Sequence, residues 1–295
     1  MLNELTKASI GPAVAAALAE DVGRGDLTAS LIDPDVVVGA QIVAREPLVV
    51  CGEAWVDEVF RQLDDGIVVD WYIGDSGRAD AGDVVCKLVG PAGAMLSGER
   101  TALNFLQTLS GTASTTAAYV EAIAGTGAKV LDTRKTIPGL RLAQKYAVTC
   151  GGGHNHRIGL FDAILIKENH IKAAGSIAAA LGKAAASHDD VLIEIEVESH
   201  DELLEALDGG ATRILLDNFS RDELQRAVAT NRAYGYVAAE LEASGNVTLD
   251  TVRDIAATGV DYISIGALTK NVRAVDLSML FRDKYGDSLL ISHAR

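Results

Sequence analysis

Apolar residues change their spacing twice along this chain, and each change marks a different kind of structure. Over the first third the apolar runs are short and broken by turn residues. Residues 1–30 read as an amphipathic helix and then a turn at Val22-Gly23-Arg24-Gly25-Asp26, with Thr28 or Ser30 placed as a cap. The β-branched run at 36–50 reads as a strand, and the spacing of Trp55, Val59, Phe60 and Leu63 predicts a helix over 53–65. Short strands separated by turns come next at 67–74, 79–91 and 94–98. This region predicts an α+β domain with an antiparallel sheet. Residues 99–119 are rich in helix formers, with Leu103, Leu106 and Leu109 near helical spacing. Gly111 divides this stretch into two helices, and the domain junction is placed there.

After residue 125 the pattern becomes regular. Strand-like runs at 128–133, 162–167, 191–197, 213–218, 236–242 and 262–266 alternate with helix-like runs at 176–187, 200–209, 220–233 and 248–259. Alternation of this kind implies a parallel sheet. The strands are apolar and mostly lack period-two alternation, as in sheets covered on both faces. The number of units favours a closed or nearly closed β/α barrel, irregular because it falls short of eight. Polar or small residues follow nearly every strand: Asp132-Thr133-Arg134-Lys135, Lys167-Glu168-Asn169, Glu196, Asp217-Asn218, Glu242-Ala243-Ser244-Gly245-Asn246 and Ser264-Ile265-Gly266. In a barrel these ends converge on one face, where active sites sit.

Charge sharpens this picture. The chain has 295 residues and carries 26 Lys and Arg against 41 Asp and Glu, a net charge of -15. That balance argues against a general nucleic-acid binder, and no apolar run approaches the ~20 residues that span a bilayer. It also suits a carboxylate-rich surface in a salty environment. The N-terminus lacks the basic and apolar regions of a secretion signal. Cys51, Cys86 and Cys150 are odd in number and lack metal-ligand spacing, so buried thiols in a reducing cytoplasm are expected. Inside 133–172 the charge balance reverses: Arg134, Lys135, Arg141, Lys145, Arg157, Lys167 and Lys172 face only Asp162 and Glu168. A cationic island in an acidic chain needs a reason, and a small, multiply charged anion supplies one.

The strand-end residues suggest what such an anion meets. Arg134, Lys135, Arg157 and Lys167 fit a dicarboxylate, or a carboxylate with a phosphate, since Arg offers a bidentate fork and Lys a mobile point charge. Glu196 and Asp217 each follow an apolar strand. They can hold Mg²⁺, hydrogen-bond ribose hydroxyls, stabilise a developing positive charge on a sugar carbon, or pair with the cations. Glu194 and Glu198 share the parity of Glu196 and receive no assignment. The turns Ser244-Gly245-Asn246 and Ser264-Ile265-Gly266 come after the last two strands, where barrels bind phosphate, although the first reads equally as a simple turn. Glycines 151–153 permit an unusual backbone path before His154 and His156. His156 is read as a donor to an anion and His154 as structural. Lys167 as a Schiff-base lysine in a barrel aldolase is the competing chemistry.

Taken in order, the segments GDLT (25–28), GERTALNFLQ (98–107), LDTRKTIPGLR (131–141), GGGHNHRIGL (151–160), ILIKENHI (164–171), EIEVES (194–199), ILLDNFS (214–220), EASGN (242–246) and YISIGALT (262–269) resemble the quinolinate phosphoribosyltransferase family, also called nicotinate-nucleotide pyrophosphorylase (carboxylating). The resemblance implies an α/β protein with an N-terminal α/β sandwich domain at 1–111 and an irregular seven-stranded α/β barrel at 112–275. The segment 276–295 would pack back on the first domain. It also implies a pentosyltransferase that makes nicotinate mononucleotide, CO₂ and pyrophosphate from quinolinate and phosphoribosyl pyrophosphate, with Mg²⁺ as cofactor.

By the same resemblance, Arg134, Lys135, His156, Arg157 and Lys167 line the quinolinate pocket, Thr133 is a further substrate-binding residue, and Glu196 and Asp217 serve the ribose and Mg²⁺. Ser244, Gly245, Asn246, Ser264, Ile265 and Gly266 hold phosphate. Lys135, Lys167, Glu196 and Asp217 are the catalytic set. A homodimer, or a larger assembly built on it, is implied, with Arg100 reaching the partner's quinolinate. Glu168 stands where the family often has Asp, and Lys270 where His is common.

Overall fold

The structure is a computed structural model that describes residues 2–187, 190–235 and 238–282. Its strands in chain order are β1 (Val37–Ala44), β2 (Leu48–Val49), β3 (Val68–Trp71), β4 (Arg78–Ala79), β5 (Val84–Pro91), β6 (Lys129–Leu131), β7 (Ala163–Ile166), β8 (Leu192–Val197), β9 (Arg213–Asp217), β10 (Glu240–Ser244), β11 (Tyr262–Ser264) and β12 (Leu277–Arg282). The chain divides into two compact units, with boundaries after Thr115, Thr136, Gly152 and Asn271. The first, third and fifth segments make one unit, and the second and fourth make the other.

The first unit holds an antiparallel sheet in the order β12-β1-β5-β3 and a separate β2-β4 pair. In register, Ala40 stands opposite Leu88 on one side and Phe281 on the other. Helices Glu4–Asp21 and Glu53–Leu63 pack together in this unit. Helix Glu53–Leu63 buries Trp55, Val56, Val59 and Phe60, each worth roughly 1.5–3 kcal/mol of transfer free energy. The run at 36–50 becomes two strands because Pro47 removes a ladder donor between them. Of the segment 276–295, residues 283–295 lie outside the described residues, and Leu277–Arg282 is the strand paired with β1.

Two expectations fail here. Residues 94–98 are not a strand but the start of a single helix, Ala92–Ala122. Five mostly apolar residues carry no readable period, and Pro91 just before them suits a helix start. Gly111 does not divide that helix. A methyl group there would lie 2.2 Å from the Arg273 carbonyl oxygen, so the glycine serves a close chain crossing within the first unit.

The second unit is a parallel sheet in the order β6-β11-β10-β9-β8-β7. Helices Ile177–Ser187, His200–Asp208, Arg221–Ala233 and Leu249–Ala256 connect or flank its strands. Ile195, Val197, Ile214, Leu216, Leu241 and Ile263 are buried in it. The implied seventh strand is reduced to one bridge, between Leu131 and His154. His154 N donates to Val130 O at 2.8 Å and Asp132 N to His154 O at 3.1 Å. The glycines before His154 explain the short pairing, because Gly weakens a strand. From this edge the Arg157 side chain reaches the first residue of β7, with Nη1 donating to Ala163 O at 3.4 Å. The strand read at 236–242 is observed as Glu240–Ser244, while residues 236 and 237 lie outside the described residues.

The cationic island is divided as well. Helix Arg141–Cys150 lies in the first unit and carries Arg141 and Lys145, the latter buried. Lys172 pairs with Glu168 on helix Glu168–Ala174. Among the described residues, no helix is long and apolar enough to cross a membrane.

Candidate active site

Two cavities open at the carboxyl ends of the parallel strands, and Thr133, Lys135, Ser244 and Ser264 line both. The smaller, about 170 Å³, adds Arg134, His156, Arg157, Lys167, Glu196 and Glu242. The larger, about 600 Å³, adds Asp217, Asn218, Gly245, Asn246, Gly266 and Lys270 among its walls. Most of the strand-end candidates therefore converge. Two do not: Ile265 is buried and its N–H bonds Leu131 O at 2.9 Å, and Arg100 is exposed on a helix segment of the first unit.

The turn after β6 orders the cations. Lys135 N donates to Thr133 Oγ1 at 3.1 Å, and Thr269 Oγ1 donates to Lys135 O at 2.8 Å. The Lys135 side chain runs beside Gly266: a methyl group there would lie 3.1 Å from Lys135 Cδ. Burial, and after it repulsion from Arg134, lowers the Arg157 pKa from its ordinary value. Lys167 Nζ forms an ion pair with Glu196 Oε2.

Buried Asp132 anchors the loop that carries His156. It accepts from Asn155 Nδ2 at 2.5 Å and from His156 N at 2.9 Å. His156 Nδ1 accepts the Arg157 backbone N–H at 2.8 Å, which places the ring proton on Nε2. That Nε2 stands 2.8 Å from Glu194 Oε2. The donation expected toward a bound anion goes instead to a carboxylate of the protein.

Glu194 belongs to a charged layer that the strand-end reading missed. Arg213 Nε donates to Glu194 Oε1 at 3.3 Å, its Nη2 to Glu242 Oε2 at 3.0 Å, and its Nη1 to Glu240 Oε2 at 3.4 Å. The guanidinium also lies over the Tyr262 ring, 3.8 Å from its centroid. Burial works to raise the Glu194 pKa, but the His156 hydrogen bond and the Arg213 charge outweigh it and the net shift is downward. Glu242 goes the other way: burial first, then repulsion from Glu194, pushes it to about 7. One signal could have found this layer, namely charged residues inside apolar strands with the parity of the mouth residues. Glu194 precedes Glu196 by one such step, and Glu242 precedes Ser244 likewise.

The larger cavity is shaped by left-handed backbone. Asn218, Gly245 and Asn246 have φ of 56°, 109° and 49°. Asn218 N donates to Ser244 O at 2.9 Å, and Asn218 Nδ2 to Asp217 Oδ2 at 2.8 Å. Helix Leu249–Ala256 begins just after this turn, with Thr248 at its cap and in the cavity wall, so its N–H groups and dipole favour an anion there. Carboxylate oxygens of Glu196 in the smaller cavity, Asp217 in the larger, and Glu198 lie within 4.8 Å of one another. An all-oxygen donor set of this kind fits Mg²⁺.

Known proteins share this architecture. A model described as Quinolinate phosphoribosyl transferase, C-terminal domain, matches residues 112–280, and the model of the N-terminal domain matches 26–110. The nicotinate-nucleotide pyrophosphorylase (carboxylating) of Mycobacterium leprae is 42% identical over 270 residues, covering 89% of this chain and 94% of that one. Quinolinate phosphoribosyltransferase (decarboxylating) 1 of Nicotiana glauca is 41% identical over 285 residues, covering 89% of this chain and 79% of its own length. The solved structure of the nicotinate-nucleotide pyrophosphorylase from Francisella tularensis has a TM-score of 0.90 at 44% identity, covering 96% of this chain and 99% of that one.

Proposed function

We propose, since this chain belongs to the quinolinate phosphoribosyltransferase family, that it joins quinolinate to phosphoribosyl pyrophosphate and releases nicotinate mononucleotide, CO₂ and pyrophosphate. One observation carries the assignment of substrates to places. A small cavity with Arg134, Arg157 and Lys167 shares four wall residues with a larger polar cavity closed by a left-handed turn and a helix start. The first suits a rigid dicarboxylate and the second a ribose bearing phosphates.

Bound in this way, the ring nitrogen of quinolinate faces the anomeric carbon. It attacks as pyrophosphate leaves, and the sugar passes through an oxocarbenium-like state that Glu196 and Asp217 stabilise. Arg134 and Arg157 hold the two carboxylates so that the nitrogen stays in line, and the Lys135 side chain beside Gly266 serves the phosphate side. The ribosylated ring carries a positive nitrogen, which stabilises the electron pair left when the 2-carboxylate departs. Mg²⁺, held by Glu196 and Asp217 with Glu198 nearby, would neutralise charge on the departing pyrophosphate.

Arg100 completes the proposal. It is an exposed cation of the first unit, available in a homodimer to a carboxylate in the site of the second subunit. The setting is cytoplasmic, where Cys51, Cys86 and Cys150, all buried, stay reduced. The test is product formation with Mg²⁺ from quinolinate and, in parallel, from nicotinate. Nicotinate mononucleotide from quinolinate alone is expected. Product from nicotinate alone would overturn the assignment.

A further inference from the structure

Glu242 is a buried acid in the wall of the smaller cavity. It is 0% exposed, it lines that cavity, and its Oε1 makes no hydrogen bond. In the sheet register it stands level with Leu215 of β9, which in turn stands level with Glu196 of β8. Glu242 therefore lies at the height of Glu196 in the sheet.

The groups facing it leave it short of positive charge. From β9, Arg213 bonds its Oε2, but the same guanidinium also serves Glu194 of β8 and Glu240 of β10. From the loop, His156 lies 3.7 Å from Oε1, but its Nδ1 accepts the Arg157 N–H, so its only ring proton is on Nε2 and points to Glu194. From β11, Tyr262 stacks on Arg213, and the Ser264 hydroxyl hydrogen-bonds Glu242 and works against the rise in its pKa. One guanidinium thus faces two buried carboxylates, Glu194 and Glu242, and a third, Glu240, that is exposed. A further negative charge there is costly, and protonation removes it. Burial and the Glu194 charge raise Glu242 to about 7, in accord with that balance.

We propose that Glu242 stands in the cavity as a carboxylic acid and delivers its proton to C2 of the ribosylated pyridine ring as the 2-carboxylate leaves; this rests on the reaction assigned above. The C2–carboxylate bond breaks with its electron pair left on C2, and CO₂ departs. The Glu242 O–H bond breaks and a C2–H bond forms. The Glu242 carboxylate then regains a proton from solvent at the cavity mouth before the next turnover. Arg134 and Arg157 have no such role, because a guanidinium does not give up its proton at ordinary pH.

The experiment tracks pyrophosphate release and CO₂ release separately, against pH, in the wild-type chain and in Glu242→Gln. Gln keeps the size of the side chain and its acceptor for Arg213 but has no acidic proton. In the variant, pyrophosphate is expected at the wild-type rate in the first turnover. CO₂ release is expected to slow about 100-fold and to lose the alkaline limb seen in the wild type. KM for both substrates is expected to stay within about twofold. Unchanged CO₂ release overturns the proposal, and so does an equal fall in both releases, which marks a structural role. A wild-type chain that releases no pyrophosphate from quinolinate overturns instead the assigned reaction. If Glu242→Gln does not fold, Glu242→Asp decides: slowed CO₂ release with a retained alkaline limb supports the role, and wild-type kinetics or a parallel loss refutes it.

Discussion

Gly245→Ala separates the phosphate side of the site from the dicarboxylate side. Gly245 has a φ of +109°, outside the range that alanine adopts easily. That conformation alone costs an L-residue about 1–3 kcal/mol. The new methyl group would also stand 2.3 Å from Asn218 Oδ1 and 3.0 Å from Asn218 N. Asn218 cannot yield freely, since its N–H bonds Ser244 O and its amide holds Asp217. The displacement therefore passes to Asp217 and to the turn facing the larger cavity. If about 1.4 kcal/mol of that strain is relieved by opening the turn, KM for phosphoribosyl pyrophosphate rises about tenfold, with KM for quinolinate nearly unchanged. Gly210→Ala is the matched control, with φ +76° and nothing within 4 Å of the added methyl group. It bears the conformational cost alone, lowering Tm by a few degrees and leaving both KM values in place. Steady-state kinetics with each substrate varied, beside thermal melts, makes the comparison. Equal rises in both KM values for Gly245→Ala, or none in either, would refute the reasoning.

The remaining predictions test other parts of the site. Arg213→Leu leaves the buried Glu194 carboxylate without its guanidinium and should cost about 3–5 kcal/mol in denaturant unfolding; a loss below about 1 kcal/mol would contradict the charge balance. Mixing Arg100→Ala with Asp217→Ala subunits after co-refolding should restore up to about a quarter of wild-type activity, because one site in each mixed dimer is intact; no recovery argues that Arg100 does not act across subunits. Glu242 also shapes stability against pH. Its pKa lies at about 7 in the folded chain against 4.5 for the ordinary carboxyl. The folded state thus binds the proton more tightly, so its contribution is present at low pH and is lost as pH rises between those two values. Glu242→Gln should remove that slope from unfolding curves, and an unchanged slope would assign it to other groups.

Much of the fold was legible because its signals are periodic. Alternating apolar strands and helices after residue 125 mark the parallel sheet, and the polar residues after each strand mark its mouth. The features that escaped depend on contacts distant in sequence. Gly111 reads as a helix breaker until the Arg273 carbonyl is seen against it. Residues 94–98 are too few to show whether they are helix or strand. The cationic window at 133–172 reads as one island, yet Arg141 and Lys145 ride a helix of the first unit. His156 looks like an anion donor because its type and neighbours suggest one, and only its two ring contacts show which nitrogen holds the proton and where it points.

The missed layer explains how an acidic chain keeps a cationic site. Arg134 and Arg157 repel each other, and the burial of Arg157 adds to the cost, which Glu194, Asp162 and Glu196 offset only in part. A dicarboxylate bound there would relieve both the burial of Arg157 and its repulsion from Arg134. The acids below are tied elsewhere: Glu194 to His156 and Arg213, and Glu242 to Arg213 on one side only. Proton delivery from Glu242 should weaken as pH rises past its pKa of about 7.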